Sequence, residues 1–384
     1  SGDFIQKNGN EYGIEVGNYP DFMPLVIQID EGHRDTESGN GNLEWSTYYG
    51  GSDLDVIDRT VSNDRGDTWF IGTTLSSDFP VTNSIQGVAG SADQIIGKHS
   101  PQENPQWVTY WGGDGQEGSG GFNRKGITID RSTNESYIAS NTQSNQSALP
   151  LVDPGAPAYF DPVNGCDAAP CTDVLLGKFS SSGTLLWGTM FGGYDPSSGT
   201  GTDDRAFDCE FENGSFYFVG GGNINAPLKN EISNNGRGWI AEFNQDLSLE
   251  FSTKFGTLNG RIESIDINSN KEILISGVVI GSNNIPVVNP GGAYTSSYNG
   301  GNSDGFIATI NDSKNIVWST HVGGSNEEKF KDAIYDDQGE IIVVGGTNSM
   351  DYTIQNLSSS SFYQSNFSGG GSITVGEPTF EDAV

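Results

Sequence analysis

Acidic side chains that could bind a cation recur directly after the Gly-Gly pairs of this 384-residue chain. Asp53, Asp55 and Asp58 follow the first pair, and Asp203 and Asp204 follow a later one. Clustered carboxylate oxygens suit Ca²⁺, although none of these groups has the spacing of an EF-hand loop. Two interpretations stay open. One is Ca²⁺ sites on one rim of the fold, with Asp53, Asp55, Asp203 and Asp204 as candidate ligands. The other is solvated loop acids without a ligand.

Two of the three cysteines, Cys166 and Cys171, lie in a Pro- and Gly-rich insertion. Close spacing in such a loop suits a small surface disulfide, which requires an oxidising compartment. A metal site is the alternative, but no histidine or further cysteine lies nearby in the sequence. Cys209 occupies a strand position that Ile127 and Ile265 occupy in related segments, which predicts a buried thiol without chemistry.

The sequence contains no recognisable catalytic constellation. Its three histidines, His33, His99 and His321, show no HExxH spacing, and no Gly-x-Ser-x-Gly elbow occurs. Paired carboxylates for glycoside hydrolysis could come from any of the 50 acidic residues, because spacing along the chain does not reveal separation in space. We therefore expect no enzyme activity and no certain cofactor, with Ca²⁺ as the one candidate.

The negative charge of the chain limits its partners. Asp and Glu total 50 and Lys and Arg total 18, for a formal net charge of −32. Such a field repels nucleic acids and anionic lipids, and no run of about 20 apolar residues is present that would span a membrane. The charge suits divalent cations, basic partners or a purely solubilising role. We predict neither nucleic-acid binding nor direct membrane insertion.

One motif, found five times, indicates the elements that would position these residues. It reads aromatic-x-Thr-x-large residue-Gly-Gly, with Thr for the last Gly in one copy, and we call it the aromatic-Thr motif. The copies begin at Trp45, Trp107, Trp187, Phe251 and Trp318. Its first, third and fifth positions are constrained and its second and fourth vary freely, which is the period of a β-strand with one face fixed by packing. We predict that the five aromatic residues occupy equivalent, mostly buried positions in successive sheets.

Each repeat of about 60–80 residues carries three further short segments in the same order. Examples are the strand at 56–61 with the tight turn after it, the apolar strand at 216–219 and the strand at 173–178. Four antiparallel strands per unit, repeated radially, form the blades of a β-propeller. The sequence therefore predicts an all-β fold, a β-propeller of four-stranded antiparallel blades with five recognisable repeat units. Stacked sandwiches are the competing fold.

The segment at 62–69 fits the pattern Ser-x-Asp-x-Gly-x-Thr-Trp and resembles the Asp-box hairpin of sialidases and other propellers. The resemblance implies that Asp64 caps a tight turn and that Trp69 packs between strands, so the motif marks the fold. A sialidase would also need an arginine cluster around the substrate carboxylate, and the sequence does not indicate one.

The order of motifs within the repeats is specific. The aromatic-Thr motif, a hairpin, an apolar strand ending in Gly-Thr-Thr at 72–74, Asp-Phe-Pro at 78–80 and an Asp-x-x-x-x-Lys strand follow one another. Over about residues 43–384 this order resembles the bacterial SBBP repeat, a β-propeller repeat, and the third unit departs from it at 226–228 and 235–238. The resemblance implies a large, multidomain, secreted or cell-surface bacterial protein, with adhesion and type IX secretion as contexts. The family has no defined catalytic motif that could be assigned to residues of this chain.

Two regions are expected. Residues 1–40 look like the tail of a preceding β-rich domain or a lead-in strand, and residues 41–384 hold the units that start near 45, 107, 187, 251 and 318. The last unit is incomplete, because it ends where its fourth strand would begin. We therefore expect a ring completed by further blades. A closed five-bladed ring with the N-terminal strand in its last sheet would contradict this expectation.

The function that the sequence favours is a non-enzymatic scaffold or binding module of a large secreted or surface-displayed bacterial protein. Tyr159, Phe160, Tyr294 and Tyr298 are expected to be exposed aromatic residues of long loops and are candidates for contacts with glycans or proteins. Partners would be other domains of a longer polypeptide, or surface and secretion proteins. The alternatives are a polysaccharide-acting enzyme with its site in the central funnel, and a structural subunit of a filament or secretion assembly. An enzyme would require polar side chains with perturbed pKa values that converge on the central channel.

Overall fold

The computed structural model is all-β. It describes residues 2–8, 11–16, 25–30, 42–88, 90–101, 105–118, 125–163, 172–193, 204–222, 227–233, 236–256, 260–281, 285–291, 294, 297–353 and 382–383, with side chains between residues 46 and 353. Within these ranges the one helical element is a short 3₁₀ turn at Gln146–Ala148. No helix in them has the length and apolar character needed to cross a bilayer.

Four strands precede the first complete sheet. They are β1 (Gly2–Asn8), β2 (Glu11–Val16), β3 (Leu25–Asp30) and β4 (Asn42–Tyr48). β1 pairs with β2 and β3 pairs with β4, both antiparallel. β4 carries the first aromatic-Thr motif, so β3 lies beside a strand of the repeats.

Four four-stranded antiparallel sheets follow, and in each the strands lie side by side in chain order. Sheet one contains β5 (Asp55–Ser62), β6 (Thr68–Thr74), β7 (Asp93–His99) and β8 (Trp107–Trp111). Sheet two contains β9 (Gly126–Asp130), β10 (Glu135–Thr142), β11 (Asp173–Phe179) and β12 (Leu185–Phe191). Sheet three contains β13 (Arg205–Glu212), β14 (Ser215–Gly221), β15 (Gly238–Phe243) and β16 (Leu249–Phe255). Sheet four contains β17 (Arg261–Ile267), β18 (Ile273–Ile280), β19 (Ser303–Ile310) and β20 (Ile316–Val322).

A fifth sheet contains three strands, β21 (Glu328–Tyr335), β22 (Ile341–Thr347) and β23 (Asp382–Ala383). Asp382 lies opposite Thr347 of β22, just as Asp93 lies opposite Thr74 in sheet one. β23 therefore occupies the place where the third strand of the other sheets begins. The N-terminal strand β3 pairs with β4 and is not part of this sheet.

Successive sheets pack face to face, and their first strands adjoin one another in the order β5, β9, β13, β17 and β21. Aromatic contacts join neighbouring sheets: Trp111 meets Phe179 edge-on with ring centroids 5.4 Å apart, and Phe255 stacks on Phe306 at 5.6 Å. Four-stranded blades with adjoining inner strands are the construction of a β-propeller. The prediction of an all-β propeller of four-stranded antiparallel blades is confirmed.

The aromatic-Thr motif forms the outermost strand of sheets one to four, at one register. Its first residue lies opposite Lys98, Lys178, Glu242 and Thr309 in sheets one to four, respectively. Trp107, Trp187 and Phe251 are at most 1% exposed, and Trp318 is half-buried. The prediction of equivalent, mostly buried positions is confirmed for these four residues, while the side chain of Trp45 lies outside the described part of the chain.

The expectation that the second and fourth motif positions are unconstrained by packing is wrong. The second residue, Val108 in sheet one, and the fourth, His321 in sheet four, are both 0% exposed. In each of sheets one to four, a connecting segment between the second and third strands runs back along the outermost strand and pairs with the second motif position. Pairs of this kind are Thr82 with Val108, Val152 with Gly188, Lys229 with Ser252 and Val288 with Ser319. We call this segment the edge strap, because it covers a strand edge that would otherwise expose unpaired backbone groups.

The hairpin at 62–69 has a different cap from the one expected. Asn63 Oδ1 accepts hydrogen bonds from the backbone N–H groups of Arg65 and Asp67, both at 3.0 Å. The Asp64 side chain is 96% exposed and lies 3.5 Å from Arg131. The assignment of the cap to Asp64 is therefore wrong, and Asn63 forms the Asx-type turn. Trp69 is fully buried, as expected.

Candidate functional site at the inner strands

In sheets one, three, four and five, the first strand carries a β-bulge at the same place. Register shifts lie between Ile57 and Arg59, Ala206 and Asp208, Ile262 and Ser264, and Phe330 and Asp332. A bulge bends its strand and re-aims the neighbouring side chains, and bulges are common next to functional sites. Three of the four residues that follow a bulge are charged, and these strands adjoin one another at the centre of the fold.

Asp208 connects three sheets at this centre. Its Oδ1 lies 3.7 Å from Arg59 Nη1 of sheet one, and its Oδ2 accepts a hydrogen bond at 3.2 Å from the backbone N–H of Ile265 in sheet four. Burial raises the pKa of the Asp208 carboxyl to about 6, against the opposing effect of Arg59, and the charge of Asp332 in sheet five raises it further. The inner strands of sheets one, three, four and five thus share one electrostatic environment.

Glu210 lies two residues further along the same strand. Its Oε1 accepts a hydrogen bond at 3.3 Å from the hydroxyl of Thr128 in sheet two. Burial raises the pKa of the Glu210 carboxyl to about 7, and the neighbouring charges of Asp208 and Asp266 raise it further. Asp266 Oδ2 in turn accepts a 2.6 Å hydrogen bond from the backbone N–H of Tyr335, and burial raises its pKa as well.

A buried ion pair joins sheets one and two beside this centre. Lys125 is 0% exposed and its Nζ lies 2.8 Å from Asp58 Oδ2. The ammonium group also donates to the Thr73 hydroxyl. Burial lowers the pKa of Lys125, and the charge and hydrogen bond of Asp58 oppose that shift. Asp58 belongs to the bulge of β5, so the bulge places a carboxylate against the start of the next sheet.

The inner-strand carboxyls are suited to two roles, one chemical and one structural. A carboxyl with a pKa near neutrality can exchange a proton with a ligand, as a general acid or base does. The same oxygens, however, accept backbone N–H groups of the next sheet, as Asp208 and Asp266 do, so they hold neighbouring blades together. We call Arg59, Asp208, Glu210, Asp266 and Asp332 the axial cluster.

Sequence reasoning missed the axial cluster. The available signal was the occurrence of charged residues in strands of which the alternate residues are apolar, such as Asp208 and Glu210 on either side of Cys209. That pattern marks one polar face of a strand, but it does not show that the polar faces of several sheets meet.

The candidate Ca²⁺ ligands differ in their burial and in their hydrogen bonds. Asp53 is exposed, whereas Asp55 is buried and accepts hydrogen bonds from the Gly51 N–H at 2.6 Å, the Ser76 hydroxyl at 3.0 Å and the Thr74 hydroxyl. Asp55 therefore caps the turn formed by its own Gly-Gly pair. Asp204 is also buried and accepts the Gly193 N–H at 2.9 Å, and Asp203 lies outside the described residues.

The described side chains give limited support for a metal site or a reactive thiol. Among the residues that the structure describes, no group of three or more His, Cys, Asp or Glu side chains could hold a metal ion. Cys166 and Cys171 lie outside the described residues, so their disulfide stays a prediction. Cys209 is a free, buried thiol, as expected, and burial raises its pKa well above the ordinary value.

The candidate binding aromatics differ in exposure. The Tyr159 ring packs against the core, 5.7 Å from both Phe191 and Phe243, so the expectation that it is an exposed loop aromatic is wrong. Phe160 and Tyr298 are half-buried. Tyr294 is 49% exposed, and its backbone carbonyl accepts the Trp318 indole N–H at 2.8 Å. The Trp187 indole donates to the Tyr159 carbonyl in the same way.

Comparisons with known proteins show only distant similarity. No family model matches the chain, and no curated protein matches it significantly. One similar solved structure is a protein of unknown function from Bacteroides caccae, with 10% identity and a TM-score of 0.29 over 78% of this chain and 93% of that chain. Another is a Glu150Asp mutant of Synechocystis apocarotenoid oxygenase, with 10% identity and a TM-score of 0.30 over 78% of this chain and 71% of that chain.

Proposed function

We propose that this chain is a non-enzymatic β-propeller module of a large secreted or surface-displayed bacterial protein, and that it binds a further folded sheet through its fifth sheet. The supporting observation is an apolar face on β21 and β22. Ile334, Ile342 and Val344 on this face are 46%, 48% and 51% exposed. Clustered exposed apolar side chains are typical of surfaces that bind another protein.

The other sheets indicate what this face would bind. Leu274 of sheet four and Tyr217 of sheet three lie at the ladder position of Ile342, and both are 0% exposed. Leu274 is covered by Phe330 and Ala333 of the next inner strand. By analogy, the face of sheet five fits the inner strand of one more sheet of the same type, from another part of the polypeptide or from a partner.

Burial of three such side chains would make this contact substantial. A half-exposed Ile or Val that becomes fully buried gains roughly 1 kcal/mol, because complete burial contributes about 1.5–3 kcal/mol. This driving force is the one that already joins sheets one to five. The exposed Tyr294 is a second contact point, for a glycan or a protein, through its ring.

Cysteine labelling at position 342 tests the proposal. Ile342→Cys should react rapidly with a maleimide in the isolated chain and should be protected at least about tenfold when the same chain is part of its natural assembly. The control is Met350→Cys, which replaces a residue that is 84% exposed and outside the strand face. Equal labelling of position 342 in the isolated chain and in the natural assembly would contradict the proposal.

A polysaccharide-acting enzyme is the second candidate function, and the axial cluster favours it. Asp208 and Glu210 have pKa values raised to about 6 and 7, in the range useful for acid–base catalysis. If this function holds, Glu210→Gln should abolish hydrolysis of a polysaccharide substrate while the fold persists. Absence of hydrolysis by the unaltered chain across a panel of polysaccharides would rule this candidate out.

A further inference from the structure

Buried carboxylates meet in pairs beneath the Gly-Gly turns, at places that the proposed docking surface does not involve. A Cβ atom added to Gly323 would lie 2.6 Å from Glu328 Oε2 and 2.8 Å from Asp304 Oδ1. Both acids are 0% exposed. Asp304 belongs to sheet four and Glu328 to sheet five, so the pair bridges two blades. Only glycine leaves room for both carboxylates at this position.

The hydrogen bonds of this pair leave one oxygen without a partner. Glu328 Oε1 accepts the Thr347 hydroxyl at 2.5 Å, and Glu328 Oε2 accepts the Gly324 N–H at 2.8 Å. Asp304 Oδ2 accepts the Asn299 N–H at 2.7 Å. The remaining atom, Asp304 Oδ1, has no hydrogen-bond partner and lies on the side of Gly323, towards Glu328. A buried oxygen of this kind requires a partner, because leaving it unsatisfied is costly.

The same arrangement occurs between sheets one and two. A Cβ on Gly112 would clash with Glu117 Oε2 and would lie 2.9 Å from Asp93 Oδ1. Glu117 Oε1 accepts the Thr142 hydroxyl at 2.8 Å and also the Ser144 hydroxyl. The backbone N–H of Gly113 also stabilises this carboxylate, but the fully buried Oε2 makes no hydrogen bond of ordinary geometry. Asp173 and Asp204 approach Gly192 in the same way, between sheets two and three.

Two buried carboxylates that face each other repel, so a positive charge between them would stabilise the fold. Burial raises the pKa of Glu117 to about 7 and that of Asp304 to about 6, and in each pair the neighbouring carboxylate adds to the shift. At neutral pH these pairs therefore hold negative charge at an energetic cost. The chain as a whole carries a net charge of −32, which raises the local concentration of cations.

We propose that Ca²⁺ binds between Asp304 and Glu328 beneath Gly323, and between Asp93 and Glu117 beneath Gly112, and so ties neighbouring blades together. Carboxylate oxygens at about 2.3–2.6 Å are the ligands that Ca²⁺ prefers. Each pair supplies two carboxylates, and backbone carbonyls and water would complete a shell of about six to eight oxygens. The smaller Mg²⁺ demands a strict octahedron and should bind more weakly.

Equilibrium dialysis of the whole chain with CaCl₂, after treatment with a chelator, tests the proposal. Glu117→Gln and Asp304→Asn keep the size of the side chain and remove one negative charge at each site. Each variant should bind one Ca²⁺ fewer than the unaltered chain, and the double variant two fewer. Saturating Ca²⁺ should also raise the thermal midpoint of the unaltered chain by several degrees more than it raises that of the double variant.

Asp337→Asn is the matched control, because Asp337 is an exposed hairpin acid of sheet five. It should leave both the number of bound Ca²⁺ ions and the thermal shift unchanged. Circular dichroism confirms that each variant folds before its binding is measured. If the unaltered chain takes up no Ca²⁺ at millimolar concentration, or if the Gln and Asn variants bind as much as it does, the proposal is overturned. The docking surface on sheet five is unaffected by either result.

Discussion

The hydroxyl of Thr189 accepts a hydrogen bond of 2.7 Å from the backbone N–H of Asp161, which lies in the edge strap of sheet two. Thr189 is the third residue of an aromatic-Thr motif. Thr109 accepts the Ile85 N–H at 2.9 Å, and Thr253 accepts the Ile232 N–H at 3.0 Å. In sheets one, two and three, the threonine that recurs in the motif therefore fixes the strap of its own sheet to the outermost strand.

Replacement of this hydroxyl should destabilise the protein. Thr189→Val keeps the shape of the side chain but leaves the Asp161 N–H without its acceptor, and we expect a loss of about 1–3 kcal/mol in the free energy of unfolding. Urea titration followed by tryptophan fluorescence measures it. Thr184→Val, at an exposed turn, is the control and should change stability by less than about 0.5 kcal/mol. Equal losses in the two variants would show that the strap contact contributes nothing.

The stability lost when a motif aromatic is replaced by alanine should increase with the burial of its side chain. Trp187 is 0% exposed and packs against Phe216 and Phe243, so Trp187→Ala should cost about 3–5 kcal/mol. Trp318 is only half-buried, and Trp318→Ala should cost clearly less. Chemical denaturation of both variants checks the order. A larger loss for Trp318 would contradict the packing described here.

The Lys125–Asp58 pair should behave as a coupled unit. Lys125→Met leaves the Asp58 carboxylate buried without its counter-charge, and we expect a loss of about 3–5 kcal/mol. Adding Asp58→Asn should restore part of the loss, because the uncompensated charge is then removed. A double-mutant cycle from denaturation midpoints measures the coupling free energy. Additive effects of the two substitutions would mean that the pair has no coupling.

The axial cluster should make stability depend on pH. The folded-state pKa values of Asp208 and Glu210 are raised to about 6 and 7, so these carboxyls hold their protons more tightly in the folded chain than in the unfolded chain. Their contribution is therefore fully present below the unfolded pKa and is lost as the pH rises through about 6 to 7, at about 1.4 kcal/mol for each pKa unit.

Glu210→Gln isolates this effect. The difference in unfolding free energy between this variant and the unaltered chain should grow in favour of the variant between pH 5 and pH 8. Taking the difference cancels the opposite contribution of His321, the pKa of which is lowered by burial. Asp337→Asn serves as the control and should give a difference independent of pH. A flat difference for Glu210→Gln would contradict the raised pKa.

The Cys209 thiol should be unreactive in the folded protein. It is 4% exposed, and burial raises its pKa, so little thiolate is available to attack a disulfide reagent. In a background that carries Cys166→Ser and Cys171→Ser, we expect no reaction with Ellman's reagent until denaturant is added. Rapid reaction of one thiol under native conditions would show that the inner strands of sheets two and three open readily.

The sequence alone determined the strand class, the four-stranded unit and the burial of the motif aromatics, because a period of two and short apolar runs between turns are local properties. Local pattern also identified Cys209 as a core residue. It misjudged Tyr159 and the variable motif positions, because the edge straps and core contacts that cover them depend on residues distant in the chain.

Only the tertiary structure decided which acids meet. Asp208 belongs to sheet three and Arg59 to sheet one. Glu117 lies in the connection after β8, where it bridges to Thr142 of sheet two, and it approaches Asp93 of sheet one. No spacing along the chain predicts contacts between these residues. Their proximity results from the packing of one blade against the next and from the bulges that re-aim the inner-strand side chains. The sequence thus specified the repeating blade, whereas the radial arrangement of the blades created the buried charges on which the candidate sites depend.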